Sequence, residues 1–198
     1  MARYGMLINT KKCVGCYACR VACQMVNGLE SDEAFIKFDE MEQGVYPNVY
    51  AEVVPVQCMH CENAVCEEVC PTGATVKRDD GIVTVDEETC IGCKSCMEAC
   101  PYDVRRLIEN EPEYYLELPI GDPAAKSHKG GTVEKCDFCA GRIDRGEKPA
   151  CMELCPGRAR YWGDLDDPES EVSQFLSGRN ATVLLEEEGT SPSVYYVS

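Results

Sequence analysis

Cysteine is the residue type able to carry chemistry in this chain: sixteen occur in 198 residues, and they fall into four groups of four. Group I is Cys13, Cys16, Cys19 and Cys23; group II is Cys58, Cys61, Cys66 and Cys70. Group III is Cys90, Cys93, Cys96 and Cys100; group IV is Cys136, Cys139, Cys151 and Cys155. Group III reads Cys90-Ile-Gly-Cys-Lys-Ser-Cys-Met-Glu-Ala-Cys100-Pro101, a C-x2-C-x2-C-x3-C-P run that suits a [4Fe–4S] cube. Three cysteines two residues apart let a tight loop curl over one cube, each thiolate reaching a different iron. The fourth lies one helical turn further on and faces a second cube, so such motifs work in pairs. Gly92 relieves crowding where the loop closes in, and Pro101 stops the helix. Four complete groups predict four cubane clusters held through iron by all sixteen cysteines.

The other uses of cysteine fit less well. A zinc ribbon needs two C-x2-C pairs and gains nothing from an appended C-x3-C. Disulfide scaffolds begin near this cysteine density but place no premium on a repeated two-residue spacing. A radical-SAM site needs C-x3-C-x2-C, an order found in no triplet of this sequence. Groups II and IV lengthen one gap, by Glu62–Val65 and by residues 140–150. Group I is followed by Gln24 where the others have proline, which predicts a helix continuing past Cys23.

The charge of −16 excludes nucleic acid and anionic membrane surfaces as partners. Its distribution is uneven. Within six residues of a cysteine the net charge is −2, and the rest of the chain carries −14. An oxidised cluster with four thiolates adds about −2 of its own, so a near-neutral surrounding fits the cluster reading. The N-terminus shows no apolar signal segment and no stretch reaches transmembrane length. The expectation is a chain with no export signal or anchor of its own, either cytoplasmic or carried to the periplasm or cell surface by a partner.

The elements that must position the cysteines are short. Residues 74–78 and 82–86 read as strands around the hairpin signal Asp80-Gly81. Two cysteine motifs flanking such a hairpin form the layout of a two-cluster bacterial ferredoxin. Residues 45–56 read as extended chain interrupted by prolines, Tyr114–Leu118 as a strand, and 169–177 as a helix. The fold class expected is α+β.

Six stretches carry a resemblance: Lys12-Cys-Val-Gly-Cys-Tyr-Ala-Cys, Cys58-Met-His-Cys-Glu-Asn-Ala-Val-Cys, Cys70-Pro-Thr-Gly-Ala, Lys135-Cys-Asp-Phe-Cys, and in the tail Gly163-Asp-Leu-Asp-Asp-Pro-Glu-Ser170 and Glu188-Gly-Thr-Ser-Pro-Ser-Val-Tyr-Tyr196. With these the chain resembles the iron–sulfur (beta) subunits of dimethyl-sulfoxide-reductase-family molybdopterin oxidoreductases. Within that family it resembles most the polysulfide, thiosulfate and arsenate reductase subunits. The resemblance implies two nested ferredoxin-like modules, residues 52–106 (groups II and III) and 1–51 with 107–162 (groups I and IV). Residues 163–198 would form a C-terminal extension in contact with a partner.

It also implies crossed ligand sets: Cys58, Cys61, Cys66 and Cys100; Cys70, Cys90, Cys93 and Cys96; Cys13, Cys16, Cys19 and Cys155; Cys23, Cys136, Cys139 and Cys151. Its function would be electron transfer in anaerobic respiration between a large molybdenum or tungsten pterin subunit and a membrane anchor, cytochrome or soluble carrier. A free-standing polyferredoxin, associated with a hydrogenase or formate dehydrogenase, is the competing class.

No catalytic constellation is present: the histidines are His60 and His128, and no nucleophile triad or phosphate loop occurs. His60 reads as a packing residue able to tune a potential, His128 as a solvated loop residue, and Trp162 as a core or partner-contact side chain. Lys94, Arg105, Arg106, Arg142 and Arg158 are candidates for compensating cluster charge, with surface solubility as the alternative.

Overall fold

The structure is a computed structural model that describes residues 2–30, 33–111, 113, 121–123, 125 and 128–198. Strands and helices alternate with the cysteine groups in a regular way. Strand β1 (Tyr4–Asn9) leads into group I, and helix α1 (Ala18–Asn27) carries its last two cysteines. Strands β2 (Lys37–Val45) and β3 (Asn48–Val56) form an antiparallel ribbon ending at group II, where α2 is Val65–Glu68. Strands β4 (Thr75–Lys77) and β5 (Val83–Val85) form the next ribbon, leading to group III and α3 (Ser95–Glu98). Then β6 (Arg106–Ile108) pairs with β7 (Thr132–Glu134) before group IV, whose helices are α4 (Ala140–Ile143) and α5 (Ala150–Glu153).

After group IV, β8 (Arg160–Asp164) returns to pair antiparallel with β1, with Met6 opposite Trp162. Each antiparallel ladder therefore joins one cysteine group to the next, and β1–β8 closes the circuit. Helix α6 (Glu171–Leu176) follows, capped by the Ser170 hydroxyl accepting from the Ser173 amide. Strand β9 (Val194–Val197) lies parallel to β1 on its other edge, giving the order β8–β1–β9. With a neighbour on both sides, the YGMLIN strand buries Met6, Leu7 and Ile8 completely, as a continuous apolar run allows.

The α+β class, the 74–86 hairpin and the helix near 169–177 all hold. Helix α1 does run past Cys23, to a left-handed Gly28 whose N–H closes on the Gln24 carbonyl. Residues 45–56 are extended as expected, with a turn at Tyr46-Pro47. Pro55 sits inside β3 because the ribbon has an unpaired edge, and its carbonyl accepts from the Tyr196 hydroxyl at 3.0 Å. The strand expected at Tyr114–Leu118 lies outside the described residues.

The last strand is woven into the body, since Val194 and Tyr196 are buried. Upstream, the carbonyls of Ser191 and Thr190 accept from the amides of Glu62 and Asn63 in group II.

The main core gathers Met6, Ile8, Ile36, Val56, Met59, Ile82, Phe138, Trp162 and Val194, with Cys23 and Cys151 among them. Trp162 is a core residue, stacked on Tyr4 and edge-on to Phe138. Among the described residues no helix is long and apolar enough to cross a membrane.

Candidate functional site

Each cysteine loop depends on one backbone conformation. The residue two places after the first cysteine has left-handed φ in all four motifs: Gly15 (62°), His60 (45°), Gly92 (64°) and Phe138 (58°). At Gly92 a Cβ would meet the Gly131 carbonyl oxygen at 2.1 Å, so glycine is required by neighbouring backbone as well as by φ. Short helices then present the later cysteines. Helix α1 packs on α5, and α2 packs on α3, which brings groups I and IV together and groups II and III together.

All sixteen cysteines are free thiols. Among the described residues, no three His, Cys, Asp or Glu side chains converge as a single ion requires. They gather instead around spaces. One cavity is lined by Cys13, Cys16, Cys19 and Cys155, with Ile8, Phe38, Pro156 and Arg160. Another is lined by Cys23, Cys136, Cys139 and Cys151, with Met6, Phe35, Ile36 and Phe138. In the remaining half of the chain Cys61 lies within electrostatic reach of Cys58, Cys66 and Cys100, and Cys93 within reach of Cys70.

The thiols differ in how readily they ionise. Burial pushes Cys23 up to about 12 and Cys61 to about 11, and drives Cys136 and Cys139 upward as well. Such thiols become thiolates only against a positive partner, as iron provides. Cys70 goes the other way. Burial raises it, but the amides of Thr75, Thr72 and Ala74 and the Thr72 hydroxyl outweigh that and hold it at about 7. The donor set is thus all sulfur, spread around enclosed spaces and supplied with amide donors. It fits [4Fe–4S] clusters and fits a mononuclear ion poorly.

Comparison with known proteins agrees. A 4Fe-4S dicluster domain model matches residues 49–115 and 117–165, and a second model of that description matches residues 12–74. The chain is 41% identical to a selenate reductase subunit of Mesobacillus selenatarsenatis, over 98% of this chain and 71% of the relative. It is 35% identical to the arsenate respiratory reductase iron–sulfur subunit of a Shewanella species, over 98% and 96%. It is 40% identical, over 100% and 80%, to a Halobacterium salinarum protein named as a dimethyl sulfoxide reductase iron–sulfur subunit. The chain belongs to this family of reductase iron–sulfur subunits.

As an iron–sulfur subunit it transfers electrons through [4Fe–4S] clusters and is not the catalytic member of a complex. Three side chains around its cysteines differ from expectation or were missed. His128 is not solvated: Nδ1 lies 2.8 Å from a Glu134 oxygen and Nε2 lies 2.6 Å from the Asn27 carbonyl oxygen. Both acceptors call for an N–H, which favours the protonated ring, and His128 bridges helix α1 to the strand before group IV. Arg160 and Lys135, absent from the cationic candidates, are buried; Lys135 donates to the carbonyls of Val83 and Cys136.

Of the cations that were candidates, Arg105 is buried, hydrogen-bonded to Thr75 and close to Cys66. Arg142 is engaged with Glu153, Glu147 and Asp122. His60 is fully buried, accepts from the Val83 amide at 3.0 Å, and is kept neutral by burial and by Lys135 and Arg105.

Proposed function

We propose that this iron–sulfur subunit holds four [4Fe–4S] clusters in crossed ligand sets. It would then conduct electrons between a molybdenum or tungsten bis-pterin catalytic subunit and an external redox partner. The sets are Cys13, Cys16, Cys19 and Cys155; Cys23, Cys136, Cys139 and Cys151; Cys58, Cys61, Cys66 and Cys100; and Cys70, Cys90, Cys93 and Cys96. The observation that carries this reading is the pair of cavities, each lined by three cysteines of one motif and one from a motif more than a hundred residues away. The proximity of Cys61 to Cys100, and of Cys93 to Cys70, supports the same crossing in the other pair.

Bound there, the clusters supply one-electron chemistry. The chain's own residues hold them, exclude water from the inner sets and place polar hydrogens toward sulfur. Two nested modules follow, residues 52–106 and residues 1–51 with 107–162. The packing of α2 on α3 and of α1 on α5 supports them. Cys58 lies within electrostatic reach of Cys136, which favours contact between the inner set of each module. Cys16 and Cys93 are the exposed cysteines, each in a loop with an exposed apolar residue, Val14 or Ile91. These two loops are the terminals where partners approach, one catalytic and the other an anchor, cytochrome or soluble carrier.

Residues 163–198 add partner surface through their exposed stretch around Glu186–Glu188. The relatives' names, each a subunit of a reductase, support a larger catalytic companion. The compartment follows that companion, cytoplasmic or exported with a twin-arginine-bearing partner. Native purification tests the reading. The chain should co-purify in fixed ratio with a molybdenum- or tungsten-containing protein, and alone it should exchange electrons with dyes but convert no substrate. An isolated monomer that reduces soluble acceptors, with no pterin-bearing companion, contradicts it and favours the free polyferredoxin.

A further inference from the structure

Two buried arginines occupy equivalent positions in the two halves of the molecule. Each stands five residues after a closing cysteine, in Cys100-Pro-Tyr-Asp-Val-Arg105 and Cys155-Pro-Gly-Arg-Ala-Arg160. The intervening backbone is the same. The Asp103 amide donates to the Cys100 carbonyl at 3.3 Å and the Arg158 amide to the Cys155 carbonyl at 3.1 Å. Both residues are left-handed, with φ of 50° and 45°. This turn feeds each guanidinium inward, leaving Arg105 5% and Arg160 3% exposed.

The surroundings match too. Arg105 lies within electrostatic reach of Cys66, Cys58 and Cys96. Arg160 lines the cavity that Cys19 faces, and its Nη1 lies 3.9 Å from Cys151 Sγ. Cys66, Cys96, Cys19 and Cys151 are the third cysteines of groups II, III, I and IV, so each arginine lies near both motifs of one pair. Neutral side chains anchor both: Thr75 Oγ1 accepts from Arg105 Nη1 and Gln57 Oε1 from Arg160 Nη1, each at 3.2 Å, and Met6 Sδ lies 3.3 Å from Arg160 Nη1. Nη2 of each has no hydrogen-bond partner among the described residues.

A buried guanidinium is strongly unfavourable unless an anion faces it. With clusters bound, the facing anions would be the ligand thiolates: Cys66, Cys58 and Cys96 for Arg105, Cys151 and Cys19 for Arg160. We infer that Arg105 and Arg160 are paired internal counter-ions, each shared between two [4Fe–4S] clusters whose reduced forms it favours. The inference rests on the crossed ligand sets proposed above. The electron balance is simple: each cluster gains one electron, no bond is made or broken, and no proton is required. A fixed cation beside both clusters stabilises the extra negative charge on either and lessens the repulsion between them.

The experiment is a potentiometric titration of the full chain with its clusters in place, followed by electron paramagnetic resonance, for R105Q, R160Q, R105K and R160K. Iron content, measured first, reports on the cluster reading independently of the potentials. R160Q should lower the midpoint potentials of two clusters, shifting each reduction equilibrium about tenfold, or about 59 mV for a one-electron step. The other two clusters should not move. R105Q should do the reverse, shifting the pair that R160Q leaves alone, and each Lys variant should restore most of the shift. If a Gln variant fails to assemble, the matching Lys variant should assemble with potentials near wild type. Unchanged potentials, equal shifts in all four clusters, or Lys variants as impaired as Gln would overturn the inference.

Discussion

His60 and Phe138 stack with ring centroids 3.7 Å apart and planes 21° from parallel, each at the motif position that is glycine in groups I and III. A left-handed φ costs a residue with a side chain about 1–2 kcal/mol. The two strained residues offset that cost by burying their rings against each other, which ties the group II loop to the group IV loop. Phe138→Ala keeps the strain and removes the ring, so it should destabilise the protein by about 3–5 kcal/mol. Anaerobic urea denaturation followed by loss of cluster absorbance reads this directly. An unchanged midpoint would mean the stack contributes nothing.

Among the left-handed glycines, Gly92 and Gly73 should respond differently to alanine. At Gly73 a Cβ meets nothing within 4 Å, so Gly73→Ala should cost only the backbone term, about 1–2 kcal/mol. At Gly92 the Gly131 carbonyl blocks it, and Gly92→Ala must also displace β7's approach. The second variant should bind less iron than the first. Equal iron content in both would show that the close backbone approach is not limiting.

The His128–Glu134 pair makes stability depend on pH. Burial lowers the His128 pKa, but the Glu134 hydrogen bond and charge and the Asn27 carbonyl raise it more, leaving it above the ordinary 6.5. A group raised on folding stabilises fully below its unfolded value, and that contribution fades as pH rises through the folded value. His128→Gln should therefore be least stable relative to wild type below pH 6.5. The gap should narrow as pH rises past the raised value. A gap independent of pH would mean that folding leaves the His128 pKa unchanged.

Crossed ligation predicts damage at a distance. Cys155→Ala should disturb the cluster held by Cys13, Cys16 and Cys19, and Cys100→Ala the one held by Cys58, Cys61 and Cys66. Spectra showing that each variant loses the cluster of its own motif would refute the crossing.

Much of this was legible in the cysteines because ligand spacing is set by cube geometry, which does not depend on the rest of the chain. The 74–86 hairpin was legible because Asp80-Gly81 is a local turn signal. Strand β9 was not, since its pairing partner β1 is nearly the whole chain away and nothing local encodes a parallel neighbour. His128 was misread for the same reason: one of its two acceptors, Asn27, lies 101 residues distant. Arg160 was missed among several arginines although a signal existed, the repeat of Cys-Pro-x-x-x-Arg at residues 100–105 and 155–160. Comparing the motifs with one another, rather than each with a consensus, would have exposed it. Left-handed residues at the third motif position were readable as Gly15 and Gly92, and hidden where the position is His60 or Phe138.

The central claim is that all sixteen cysteines hold four cubes, and metal analysis of anaerobically purified protein tests it most directly. The account predicts about 16 iron and about 16 acid-labile sulfide per chain. Stoichiometric zinc without sulfide, or an iron content near half that value in undamaged protein, would contradict it.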